Sequence, residues 1–135
     1  MTGVEEQYMD VLQNIEMGIV LTYHDRRNLS DHDVRRTLEA LIDAYKAEKV
    51  GRPPRQFNLS EDERLLMDNV RRMCEWRLGR GKLEDDPGQE GQNAPEPKTV
   101  DEILLCLKKI LKSVDQWNRS GGRQGYLNFI IQYVK

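Results

Sequence analysis

The chain is poor in the residues on which most catalytic and metal chemistry depends. Among its 135 residues are two cysteines, Cys74 and Cys106, and two histidines, His24 and His32. The cysteines form no Cys-x-x-Cys pair and fall inside apolar helical patterns, so both are expected as reduced, buried thiols rather than a disulfide framework or a thiolate metal site. Glu-x-x-His pairs, a His-Glu-x-x-His run and a Gly-x-Ser-x-Gly elbow are all missing, which removes helical di-iron centres, zinc-protease helices and α/β-hydrolase nucleophiles. No apolar run approaches the roughly 18 residues of a bilayer span, and the first ten residues lack a basic stretch leading into an apolar one. A soluble, cytoplasmic protein with no membrane contact is therefore expected. Sustained apolar/polar alternation is also lacking, and with it the case for a sheet.

Charge of one sign is lacking as well. Charged residues make up 33% of the chain and hydrophobic ones 38%, yet the formal net charge is only −2. A balance so close to zero argues against a nucleic-acid binder that works through its overall field. The charges are segregated, however, with −6 over 84–102 and +5 over 103–135.

What is present in quantity is helix punctuation. Ser30, Ser60 and Thr99 each stand three places ahead of a carboxylate, Asp33, Glu63 and Glu102, at the head of an apolar-periodic run. In such a pair the hydroxyl accepts from the backbone N–H three residues on, while the carboxylate reaches back to the cap's own N–H. The pattern predicts an all-α fold: a compact bundle of four to five helices in a single domain over 1–135, at about 4–25, 31–49, 61–78, 100–117 and 123–134. Gly51, backed by Pro53 and Pro54, stops the second helix, and Gly79 with Gly81 the third. Segment 82–98, in which Leu83 is the single large apolar residue, is too polar to offset the cost of ordering it, and reads as a mobile acidic linker between the third and fourth helices.

The apolar stripes give a candidate core. They are Tyr8, Val11, Leu12, Ile15, Ile19 and Tyr23 on the first helix; Val34, Leu38, Leu41, Ile42 and Tyr45 on the second; Leu66, Met67, Val70, Met73, Cys74 and Leu78 on the third. The fourth carries Val100, Ile103, Leu104, Leu107, Ile110, Leu111 and Val114, with Lys108, Lys109, Lys112 and Leu105 on its opposite face. Two helices have more apolar surface than one stripe. Met17, Val20 and Leu21 lie off the first helix's stripe, and the last helix, from Tyr126 to Val134, is apolar over roughly 200° of its circumference.

That excess, with Trp76 and Trp117 near helix ends, makes Met17, Val20, Leu21, Phe129, Ile130, Tyr133, Trp76 and Trp117 candidate interface residues. Arg72, one turn before Trp76, is placed to stack on its indole. A second candidate site is anionic in preference. Arg119, Ser120, Gly121, Gly122 and Arg123 bring free backbone N–H groups and guanidinium forks to a predicted helix start, near Lys108, Lys109 and Lys112. The spacing matches neither the P-loop nor the dinucleotide fingerprint, and the same glycines also serve simply to turn one helix into the next. The acidic linker, within a Debye length of about 8 Å, would compete with outside anions for that basic face. A weaker alternative is a metal or general-base site from His24, Asp25 and His32, with Asp31 and Asp33 beside them. No cofactor is expected and no enzyme class is supported. The reading these patterns favour is a small helical protein–protein interaction module, a homodimer that binds itself and a further protein, with an anion or nucleic-acid binder as the alternative.

Overall fold

The computed structural model describes residues 8–26, 29–80, 96–119 and Ile130. Four helices account for most of them: α1 Met9–Asp25, α2 Asp31–Val50, α3 Glu61–Arg77 and α4 Val100–Arg119. No strand occurs among the described residues. The all-helical expectation holds, and four of the helices expected from the sequence are present within a few residues of their anticipated bounds. Of the fifth, at 123–134, only Ile130 is described; it is helical and buried. Positions 4–7 of the first predicted helix and 82–95 of the linker likewise lie outside the described residues.

The three helix starts are built as their spacing requires. The Ser30 and Ser60 hydroxyls accept from the N–H groups of Asp33 and Glu63, both at 3.2 Å, and the two carboxylates accept in return from the Ser30 and Ser60 N–H groups at 3.0 and 2.8 Å. Thr99 and Glu102 repeat the exchange at the head of α4. Two of the helix ends are built alike. Gly51 and Gly79 adopt φ of +73° and +80°, the left-handed region that a side chain disfavours. The following N–H groups, of Arg52 and Arg80, turn back to the carbonyls of Ala47 and Glu75, the Schellman arrangement.

Packing among these helices is strongest for α1 with α3 and for α2 with α4, and α2–α3 and α4–α1 contacts close the ring. Consecutive helices α1/α2 and α3/α4 are thus diagonal partners. The core is the one the stripes indicate: Val11, Ile15, Ile19, Val34, Leu38, Leu41, Tyr45, Leu66, Val70, Cys74, Ile103, Leu107 and Ile110 are buried in one cluster, joined by Ile130. At the α1–α3 crossing the backbones nearly touch. A Cβ on Gly18 would lie 2.8 Å from both the Asn69 carbonyl oxygen and the Val70 Cα, so only glycine fits. Beside it Thr22 Oγ donates to the Gly18 carbonyl, Asn69 Nδ2 donates to Thr22 Oγ at 2.8 Å, and Arg72 donates to Asn69 Oδ1 at 2.6 Å. A polar chain therefore threads a crossing that apolar periodicity alone does not reveal.

The predicted linker ends earlier than 98. Lys98 N–H donates to the Arg77 carbonyl at 2.7 Å, and Pro97 lies 3.1 Å from where a Gly79 Cβ would stand. The approach to α4 is thus fastened to the end of α3, a long-range backbone bond that composition cannot signal.

Candidate functional site

Outside the core, the surface with the most chemistry to offer is the groove between α2 and α4. On α2 the residues Glu39, Ile42, Asp43, Lys46, Lys49 and Val50 fall at helical spacing along the flank of the core stripe; on α4, Asp101, Leu104, Leu105, Lys108 and Leu111 do the same. The two flanks face each other across two hollows. The first, of about 440 Å³, is bounded by Lys46, Lys49, Val50, Arg52, Asp101, Leu104, Leu105 and Lys108. The second, of about 310 Å³, is bounded by Glu39, Ile42, Asp43, Lys46, Arg55, Phe57, Lys108 and Leu111. Lys46 and Lys108 border both and form the ridge between them.

Apolar exposure is concentrated at the first hollow. Val50 is 71% exposed and Leu105 42%, two of the four large apolar residues so exposed among the described residues. Val50 belongs to the last turn of α2, where Gly51 turns the chain away, and it is left largely uncovered by the described residues.

The cations divide into paired and unpaired. Lys49 is ion-paired with Asp101 across the groove. Arg52 donates to Asp43 at 2.8 Å, and Asp43 also accepts from the Arg55 backbone N–H at 2.7 Å. Those two contacts hold the Asp43 carboxyl below the usual carboxylate range, the Arg52 hydrogen bond contributing most. They also fasten the loop after α2, which places Arg52 at the first hollow and Phe57, with the Arg55 guanidinium 5.2 Å from its ring centre, at the second. Lys46 and Lys108 have no ion-pair or hydrogen-bond partner among the described residues. The site therefore offers two free ammonium groups on a ridge between two partly apolar hollows.

Of the residues anticipated as an anion site, only the three lysines of α4 have described side chains. Of Lys108, Lys109 and Lys112, only Lys108 reaches the groove; Lys112 is exposed elsewhere and Lys109 is half-buried. The side chains of Trp117 and Arg119, and all of Ser120, Gly121, Gly122 and Arg123, lie outside the described residues. What the sequence reading missed is that the companions of Lys108 come from α2: Lys46, Lys49 and Arg52, some sixty residues away. The available signal was Val50, an apolar residue off its helix's core stripe and followed at once by a stop.

The anticipated interface residues differ in how far they are exposed. Val20 is buried at 8% exposure and Ile130 fully, both within this chain's own core, so neither is free for a partner. Val20 is part of the same buried cluster as Ile15 and Ile19, and Ile130 joins that cluster as well. Met17 is half-buried and Leu21 is 42% exposed, on an otherwise polar face. Phe129 and Tyr133 lie outside the described residues. Trp76 is half-buried, and the arginine over its ring is not Arg72 but Arg77, 5.7 Å from the centroid. Arg72 is diverted to Asn69. Arg77 is itself buried, donating to Asn14 at 2.6 Å and to Asp10 at 3.0 Å.

His24, Asp25 and His32 are exposed at the ends of α1 and α2, and no cluster of three or more metal-ligating side chains occurs among the described residues. Asp33, their neighbour, is engaged in the Ser30 cap. Burial pushes the Cys106 thiol up to about 11 and that of Cys74 further still, so neither offers a thiolate at neutral pH. No helix among the described residues is long and apolar enough to cross a membrane.

Comparisons with protein families, with curated proteins and with solved structures find no match to this chain.

Proposed function

We propose that this chain is a helical protein–protein interaction module and that the groove between α2 and α4 is its binding surface. The observation that carries the reading is the coincidence, in one groove, of exposed Val50 and Leu105 with the free ammonium groups of Lys46 and Lys108. Isolated exposed apolar residues are ordinary, but apolar residues gathered in a groove with a charged rim are the usual anatomy of a protein contact. Self-association belongs to the same proposal and rests on α1, where Leu21 and Met17 interrupt a polar face; sedimentation at micromolar concentration is expected to show a dimer that Leu21→Asp dissociates, and a monomer for the parent chain would end that part of it.

The groove is tested by placing a photo-crosslinking benzoylphenylalanine at Leu105 and, as control, at exposed Asp68 on α3, away from both proposed surfaces. Adducts to protein from the groove position alone, lost when Lys46 and Lys108 are reversed to Glu, are expected. Adducts to nucleic acid would favour the alternative of an anion binder, and no groove-specific adduct would dismiss both.

A further inference from the structure

The groove's shape says more than that something binds there. Its two hollows are separated by the Lys46–Lys108 ridge and lie in sequence along antiparallel flanks: exposed Val50 and Leu105 border one, half-buried Phe57 and Leu111 the other. At the helical rise of about 1.5 Å per residue, Leu105 to Leu111 spans about 9 Å. Two apolar sites about 9 Å apart with cations between them lie close to the repeat of an α-helix over seven residues, about 10.5 Å.

Resting on the reading above, we infer that the occupant is an acidic amphipathic helix of a partner protein. It carries large apolar side chains at positions i and i+7, one for each hollow, and carboxylates at i+3 and i+4 that meet Lys46 and Lys108. A helix is favoured over an extended strand because the described residues offer no sheet edge to extend, whereas a cleft between two helices takes a third by its side chains. A protein is favoured over nucleic acid on two counts. The apolar walls at Val50, Leu105, Phe57 and Leu111 have nothing to gain from phosphates. Two free lysines, with Lys49 and Arg52 already paired, supply too few contacts for binding that scales with the number of phosphates neutralised. The remaining acids at the groove do not oppose an acidic ligand, since Asp43 is held by Arg52, Glu39 by Arg35 and Asp101 by Lys49.

The probe is a fluorescent synthetic helix of about 18 residues on an Ala/Gln background, with Leu at i and i+7 and Glu at i+3 and i+4, titrated with the full chain by anisotropy. Binding in the micromolar range is expected, weakened about tenfold by Lys46→Glu with Lys108→Glu and about tenfold by Leu105→Asp. All three positions are exposed, and far-UV circular dichroism confirms that the variants fold. A probe with Lys in place of Glu is expected to recover binding to the doubly reversed variant, which a folding defect cannot produce. Equal binding of a probe with its leucines moved to i and i+5, tighter binding of polyglutamate or a duplex oligonucleotide than of the probe, or no saturable binding below about 100 µM would each overturn the inference. A crosslinked natural partner whose contact segment lacks the apolar–acidic–apolar spacing would also overturn it, while leaving the interaction module intact.

Discussion

Glycine has two different uses in this chain, and substitution separates them. At Gly18 the constraint is space: the added Cβ would meet backbone atoms of α3 at 2.8 Å, which cannot swing aside as a side chain would. Alanine favours a helix over glycine by about 1 kcal/mol, but the overpacking it causes at this crossing costs more, so Gly18→Ala is expected to lower stability by a net of about 2 kcal/mol in urea unfolding. At Gly51 the constraint is conformation. Nothing lies within 4 Å of its missing Cβ, and the φ of +73° alone opposes a side chain. Gly51→Ala should cost about 1 kcal/mol and Gly51→Asn less, since asparagine tolerates the left-handed region. Only the second glycine was legible in the sequence, because a helix stop is local and announces itself by the prolines that follow. The first depends on where α3 lies, and glycine inside a helical run carries no mark of a neighbour. The cysteines are an intermediate case. Their apolar periodicity indicated burial, and the burial in turn raises both thiols, so a disulfide-exchange reagent at pH 8 is expected to label neither in the native protein and both after guanidinium is added.

At the scale of the helix, most of what the structure shows was written in the chain. A cap needs only four consecutive residues, and all three Ser or Thr boxes form. Ser60→Ala removes the hydroxyl that accepts the Glu63 N–H and is expected to cost about 1 kcal/mol in denaturant unfolding, with Ser60→Asp recovering most of it. A variant as stable as the parent would mean that the head of α3 is held by its packing alone. Side-chain pairs along one helix were less legible than caps. Arg72 and Trp76 are correctly spaced to meet, but helical spacing only makes a contact available. Asn69, three residues before Arg72 and oriented by Thr22 of α1, offers a buried acceptor, and a hydrogen bond to it outbids an exposed stacking contact. The same limit hid the groove. Each of its flanks was visible as a polar edge with a stray apolar residue, yet nothing in either helix states that α2 and α4 are neighbours.

Across the whole molecule, ion pairs link what the helices leave apart. Arg80, just past the end of α3, holds Glu48 of α2 at 2.7 Å and Glu75 of α3 at 2.9 Å; Arg77 reaches Asp10 of α1; Asp43 fastens the loop that follows α2. Four carboxyls are held below their ordinary range, three of them by these pairs and Glu102 by its helix cap. For Asp10 and Glu75 burial pushes upward but is outweighed by Arg77 and by Arg80 with Tyr45; Glu102 is lowered chiefly by the Thr99 N–H, and Asp43 by Arg52 and then the Arg55 N–H. The unfolded chain takes up protons at the ordinary carboxylate values while the folded one still refuses them, so it binds more protons in that window and stability rises with pH. The contribution is complete above about pH 5 and is lost as pH falls through the lowered native values, below about pH 4. Asp43→Asn isolates one part of this. It keeps the side chain's shape but not the charge that Arg52 and the Arg55 N–H engage, so its urea midpoint should lie below the parent's at pH 7, and the gap should narrow as pH falls below the ordinary aspartate range of about 4, where the parent's unfolded chain takes up the proton that its folded form still refuses. A gap that stayed constant across that range would mean that the amide's geometry, not the missing charge, accounts for the loss. Because the same carboxylate places Arg52 and Phe57 at the two hollows, the substitution should also weaken the acidic helical probe at pH 7, where the fold is intact.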